Sequence, residues 1–217
     1  MTALWTYLVT NLAQIAEWTA ATVVLAVVPL VAGIVVSLPI GWLVARYRGV
    51  AIPVAPAAKV LYTIPSLVMF LVLPGILGTR ILDPVNVAVA LVLYTLALLI
   101  PAAADAFRNV PDELLDAGSA MGQSAWQRFW SLQLPLSIPV FTASVRVAAV
   151  SNVALISVAS VIGVSQLGQL FVIGNNLGNL SPIVLGLIAF IALALLLDAA
   201  LLLASRALTP WQRGVSA

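Results

Sequence analysis

The chain has 217 residues, 63% of them hydrophobic and only 7% charged, with a mean hydropathy of +1.18. That composition lies outside the soluble range and describes one integral membrane domain, all-α in fold class. A net charge of +2 gives no basic face for nucleic acid; a chain without Cys or His has no disulfides, no thiolate or imidazole metal site and no usual general base.

In chain order, residues 1–17 put Leu4, Trp5, Leu8, Val9, Leu12, Ile15 and Ala16 on one helical stripe, with Thr6, Asn11 and Gln14 among them. Two readings stand: a helix lying in the membrane interface, anchored by Trp5 and Trp18, or a leader that continues into the first span. These residues include no Lys or Arg to form the positive start of a cleavable signal. The first span is predicted over 18–45, with Pro29 and Pro39 inside it and a kink or tilt expected. Arg46, Arg48 and Lys59 bracket a predicted loop containing Pro53 and Pro56. A second span over 60–77 is interrupted by Pro65 and Pro74, and the turn GTRILDP leads to a third over 85–104. Spans over 139–162 and 182–205 flank a Gly- and Asn-rich stretch at 163–181, giving about five in all. A short tail carries Arg206 and Arg213.

Between the third and fourth spans lies the longest interval without a membrane-length apolar run, residues 109–135. It is predicted to form two short helices with a hinge. Pro111 followed by Asp112 and Glu113 suits a first turn, where proline needs no N–H and carboxylates meet the positive end of the helix dipole. Gly122 is placed to end that helix with a left-handed residue. Ser124 and Gln127 form an S-x-x-Q capping box for the second helix. Trp126, Phe129, Trp130 and Gln133 then recur at helical spacing on one face, and Pro135 marks the exit into the next apolar run.

Seven of the nine Lys and Arg residues fall in 46–59, in 108–128 and in the tail. With five spans these regions share one side, cytoplasmic by the positive-inside rule, which puts the N-terminus outside and the C-terminus inside.

The 109–135 interval also carries a family resemblance. Asp116, Ala117, Gly118, Gly122, Leu132, Leu134 and Pro135 match the spacing of the cytoplasmic loop of ABC-importer permeases, Glu-Ala-Ala, three residues, Gly, nine residues, Ile-x-Leu-Pro. Asp stands for Glu, Gly for the second Ala and Leu for Ile, each keeping charge sign, small size or apolarity. In that family the loop is the coupling helix that fits a groove on the ATPase, which makes Glu113 and the matched residues the candidate coupling site. SLPIG at 37–41, YTIPSLVMF at 62–70 and SVRVAAV at 144–150 resemble the osmoprotectant permeases, importers of glycine betaine, carnitine, choline or proline. Residues 163–174 resemble their glycine-rich periplasmic stretch, with fewer glycines. The nearest alternative is a methionine-type amino-acid importer; a secondary transporter or a channel is the alternative of another class. The resemblance implies a complex of two permease subunits, identical or related, a pair of ATP-binding subunits and an external solute-binding protein in a bacterial cell membrane. ATP and Mg would be bound by the partner, leaving this chain without a cofactor, a metal or a catalytic role.

Inside the spans, Thr63, Ser66, Ser151, Asn152, Ser157 and Ser160 are the candidates for lining a path, with hydrogen bonding between helices as the alternative. Arg146 lies seven residues after Pro139, and Asp198 eight residues before Arg206. At about 1.5 Å per residue both sit roughly 10–12 Å from the same ends of antiparallel spans. An Arg146–Asp198 ion pair is predicted, the alternative being that each reaches the headgroups by itself.

Overall fold

Backbone groups in lipid find no water, so apolar runs of this length must bond within themselves. Every regular element among residues 2–210, which the computed structural model describes, is helical. Arg213 lies outside the described residues.

Helix α1 (Thr2–Thr10) and helix α2 (Leu12–Arg46) are parted by Asn11 alone. Backbone bonds from Asn11 to Tyr7 and from Ile15 to Asn11 carry the helical pattern across it. The N-terminal stretch therefore leads directly into the first span. Trp18 is buried in the core rather than anchored at an interface. α2 runs unbroken through Pro29 and Pro39 for 35 residues, about 52 Å.

The predicted loop at 46–59 is instead helix α3 (Arg48–Thr63), with Pro53 and Pro56 inside it. Both prolines are exposed, so the carbonyls they leave unpaired are not sealed in the core. The chain breaks at Ile64 and Pro65, where α4 (Ser66–Leu77) leaves α3 at an angle of 107°. Proline disfavours a helical residue before it, which ends α3 there. Tyr94 of α5 donates its hydroxyl to the freed Ile64 carbonyl at 2.6 Å. Four helices are long and apolar enough to cross a membrane, and the bent α3–α4 pair makes a fifth crossing if taken as one.

Helix α5 (Pro84–Arg108) starts where Asp83 accepts a bond from the Val85 N–H at 2.9 Å, with Pro84 in the first turn. It is the central helix, running parallel to α2. A Cβ on Gly33 would stand 2.3 Å from the Thr95 methyl, and one on Gly41 would stand 2.4 Å from the Ala103 Cβ and 3.0 Å from the Ala104 backbone nitrogen. Small residues at 33, 37 and 41 thus let the two backbones approach.

Helix α6 (Asp112–Ala120) and helix α7 (Ala125–Arg128) follow; α7 passes through a π-helical turn, Phe129–Gln133, into α8 (Leu134–Val158). Pro135 therefore does not end an element. It has no N–H, and the π turn, in which Leu134 bonds to the Phe129 carbonyl, shifts the bonding frame ahead of it. The helix that holds the fourth span runs continuously from Ala125, through the second hairpin helix, instead of starting at Pro139. It ends at Val158, short of the predicted 162. After a folded segment at 159–168 come α9 (Gln169–Asn176) and α10 (Leu180–Leu208), the latter antiparallel to α8.

The C-terminal ends of α2 and α5 share one end of the bundle with the α6–α7 hairpin, and Arg108 donates to the Val44 carbonyl there at 3.0 Å. The opposite end carries the 78–83 turn and the 159–179 segment.

Candidate functional site

The α6–α7 hairpin is built by local rules. Gly122 has φ +78°, and the N–H groups of Gly122 and Gln123 return to the carbonyls of Ser119 and Gly118, each at 3.0 Å. This double bond with a left-handed residue ends α6. Two residues on, Ser124 Oγ accepts from the Gln127 N–H at 3.3 Å, while Gln127 Oε1 accepts from the Ser124 N–H at 2.8 Å. The capping box starts α7 with both its donors satisfied.

Gly118 closes the hairpin on itself. A Cβ there would lie 2.9 Å from Leu132 Cδ1 and 3.0 Å from Gln123 Oε1, so this small residue admits its own second helix. Arg128 Nη1 donates to Ser119 Oγ, and Ser131 Oγ donates to the Gln127 carbonyl at 2.8 Å. The aromatic face then seats the hairpin on the bundle. Phe129 lies edge-on to Trp42 of α2 at 5.5 Å between ring centroids and 5.9 Å from Phe107 of α5. Trp42 Nε1 donates to Gln133 Oε1 at 3.0 Å.

The hairpin turns several of its residues outward. Glu113, Asp116 and Ala117 are exposed, as is Gly122 with open space where a Cβ would stand. Met121 is 72% exposed and Trp126 67%. Leu132, Leu134 and Pro135 are half-buried on the second helix. The result is a rigid knob whose second helix is one body with a membrane span.

The candidate path residues separate into three places. Thr63 is exposed at the α3–α4 bend and donates to the Val60 carbonyl at 2.7 Å, with Ser66 half-buried just past the bend. Ser157 and Ser160 line one hollow of about 520 Å³ with Phe171 and Asn175. Asn152 is 2% exposed, and its Nδ2 donates to Thr95 Oγ1 of α5 at 2.9 Å. It bonds two helices together, the alternative that the sequence left open beside a path role. A mid-span amide is cheapest when a neighbouring helix satisfies it.

Arg146 and Asp198 meet across α8 and α10. Nε donates to Oδ1 at 2.7 Å and Nη2 to Oδ2 at 2.6 Å, a two-pronged contact.

Sequence reasoning missed a buried polar knot at the opposite end. Gln166, fully buried, donates from Nε2 to the Ile156 carbonyl at 3.0 Å and accepts at Oε1 from the Gly168 N–H at 2.6 Å. Thr22 of α2 accepts from the Leu167 N–H at 3.0 Å. The only local signal is two glutamines, Gln166 and Gln169, set among apolar residues.

The profile of the family described as "Binding-protein-dependent transport system inner membrane component" matches residues 37–211. The osmoprotectant import permease protein OsmW of Salmonella typhimurium is 32% identical over 76% of this chain and 78% of its own length. The carnitine transport permease protein OpuCD of Listeria monocytogenes is 33% identical over 81% of this chain and 78% of its own length. A glycine betaine/carnitine/choline permease, OpuCB of Bacillus subtilis, is 27% identical over 97% of this chain and 95% of its own length. In fold the chain resembles a chain of the inward-facing MetNI methionine ABC transporter, with a TM-score of 0.80 at 20% identity, covering 92% of this chain and 98% of that one. An ABC-importer loop pattern built as a capped hairpin, helices that cross a membrane and a profile spanning most of the chain agree: this protein belongs to the family of binding-protein-dependent transport system inner membrane components, as a multi-pass permease subunit.

Proposed function

We propose that this permease forms half of the membrane path for a compatible solute of the quaternary-ammonium or related zwitterionic kind, such as glycine betaine, carnitine, choline or proline. The observation that carries the solute class is the identity of 32–33% to permeases named for osmoprotectant and carnitine import. Likeness to the methionine transporter is one of fold, at 20% identity, and brings no solute with it.

The α6–α7 hairpin is the docking knob for a separate ATPase, which binds ATP and Mg; Glu113, Asp116, Ala117 and Gly122 form its outer surface. Support comes from their exposure and from the unbroken helix Ala125–Val158, through which a push on the hairpin moves a span as one body. The hairpin end is cytoplasmic, with the N-terminus outside and the C-terminus inside. A second permease, identical or related, completes the path, and an external solute-binding protein delivers to it.

The chain has no cysteine, so single introduced cysteines test the orientation cleanly. Sites at 52–56 and 118–124 should be labelled only from the cytoplasm, and sites at 80–83 and 174–180 only from outside. Labelling of 118–124 from outside would end the docking assignment. Co-purification of an ATPase with the intact chain, lost when the hairpin surface is altered, tests the docking itself.

A further inference from the structure

Arg146 and Asp198, the charges set deepest in α8 and α10, lie on the seam between those two helices. At its hairpin end the Thr142 and Ser205 hydroxyls lie 3.0 Å apart. One turn on is the Arg146–Asp198 pair. Next comes a hollow of about 230 Å³, walled by Val150, Ala154 and Ser157 of α8 and by Phe190, Ile191 and Ala194 of α10. It shares Ser157 and Phe171 with the hollow of about 520 Å³ that reaches Asn175 at the opposite end. Residues 142, 146, 150 and 154 recur every four, as do 190, 194 and 198, so the pair sits one turn below the hollow on both facing stripes.

The pair is not sealed by its own chain. The Arg146 and Asp198 side chains are 34% and 30% exposed, although Asp198 lies ten residues from the end of α10, about 15 Å along its axis. Charged groups at such depth face protein or water rather than lipid. Ile188, Leu195 and Leu196 of α10 are strongly exposed and apolar as well, as is Ile191 in the wall of the hollow.

We propose that the α8–α10 seam is the wall this chain gives to the solute path, and that a zwitterionic solute crosses its base by exchange with the Arg146–Asp198 pair. The solute's carboxylate takes the place of Asp198 on the guanidinium, while its ammonium takes the place of Arg146 beside the Asp198 carboxylate. Every charge keeps a counter-charge during the exchange. The two-pronged geometry already in place is the one arginine offers any carboxylate. Above the pair, half-buried Phe171 stacks on buried Phe190 at 5.6 Å and lines both hollows, where its ring can meet a quaternary ammonium. No charged side chain lines either hollow, so nothing there would hold the cation fast. The solute class rests on the function proposed above; the course of the path rests on the seam alone.

Two measurements on the complex reconstituted with its ATPase and binding protein separate these claims. In the first, Ala154→Cys and Ala194→Cys meet a charged, water-soluble thiol reagent, with Ile188→Cys and Leu195→Cys, at exposed apolar positions of α10, as controls. The seam cysteines should react, and glycine betaine should slow them. Seam cysteines that react no faster than the controls, with ATP bound and without, would overturn the path. In the second, Arg146→Gln is combined with Asp198→Asn, which leaves no charge unpaired. The KM for glycine betaine should rise about tenfold or more, as expected for one lost bond to a charged group. Choline, which has no carboxylate, should be affected less. Equal losses for both solutes would make the pair a structural clasp and overturn the exchange. A reactive seam in a complex that imports neither solute would uphold the path and overturn the zwitterion reading.

Discussion

Two short non-spanning regions join the helices of this permease, and they are folded in opposite senses. The 109–133 hairpin closes on itself with local bonds and keeps its outer residues exposed. The 159–179 segment is turned inward, with Val164, Gln166, Leu167 and Leu170 fully or almost fully buried. Its polar atoms bond to α2, α8 and its own backbone. The first region satisfies its backbone locally and leaves its outer side chains exposed; the second turns its side chains into the chain's own interior. Mutations should therefore affect stability at one end and association at the other.

The largest effect is expected from Gln166→Ala. It strands the Gly168 N–H in a fully buried site, at about 1–3 kcal/mol, and takes one of two bonds from the Ile156 carbonyl, which keeps the one from the Ala159 N–H. Thermal unfolding in detergent should fall by several degrees, while the ATPase binds whatever subunit remains folded as well as before. Weakened ATPase binding at unchanged stability would contradict the contrast between the ends.

Much of the hairpin was legible because its determinants are local. Pro111, Gly122 and the Ser124–Gln127 box each act within four residues, and the structure shows the cap and the box they specify. The Arg146–Asp198 meeting was legible by counting, since helix rise and antiparallel spans fix depth. The 159–179 fold was not, because its decisive partner, Thr22, lies 145 residues from Leu167. Nor could spacing separate Asn152, bonded to Thr95, from Ser157, open to a hollow five residues later. Pro53 and Pro56 read as loop residues because proline is costly inside a helix; an exposed face lowers that cost. Gly118 matched the loop pattern by spacing alone, and its close approach to Leu132 depends on how the two short helices fold together.

Next in size are the single neutralisations Arg146→Gln and Asp198→Asn. Each leaves a lone charge at membrane depth, so a loss of stability is expected for either, smaller than for a sealed pair because a third of each side chain is exposed. The double variant should lose less than either single one, since it strands nothing. Strictly additive losses in the cycle would show the two side chains to be uncoupled.

Gly122→Val sharpens the comparison at the hairpin end. A β-branched residue at φ +78° costs about 1–2 kcal/mol, and no steric clash adds to it because the space around the position is open. Membrane insertion should be normal, while the second helix is misdirected relative to α6. ATPase association should weaken, and solute-stimulated ATP hydrolysis should be lost. Retained uptake would mean that the hairpin is passive.

Asp116→Lys should have the smallest effect. The carboxylate is exposed and makes no hydrogen bond or ion pair among the described residues, so folding stability should move by no more than about 0.5 kcal/mol. Its contribution belongs to a contact with the ATPase, where an exposed pair adds about 0–1 kcal/mol. Asp112 and Glu113, a turn earlier, keep the surface acidic when Asp116 alone is reversed. ATPase affinity should fall by a few-fold at low salt. The difference should fade as ionic strength rises, because the screening length drops from about 10 Å at 0.1 M to about 3 Å at 1 M. A loss that persisted unscreened at 1 M salt would put Asp116 in a sealed contact, and the hairpin would then bind by a buried charge rather than by the shape of its capped knob.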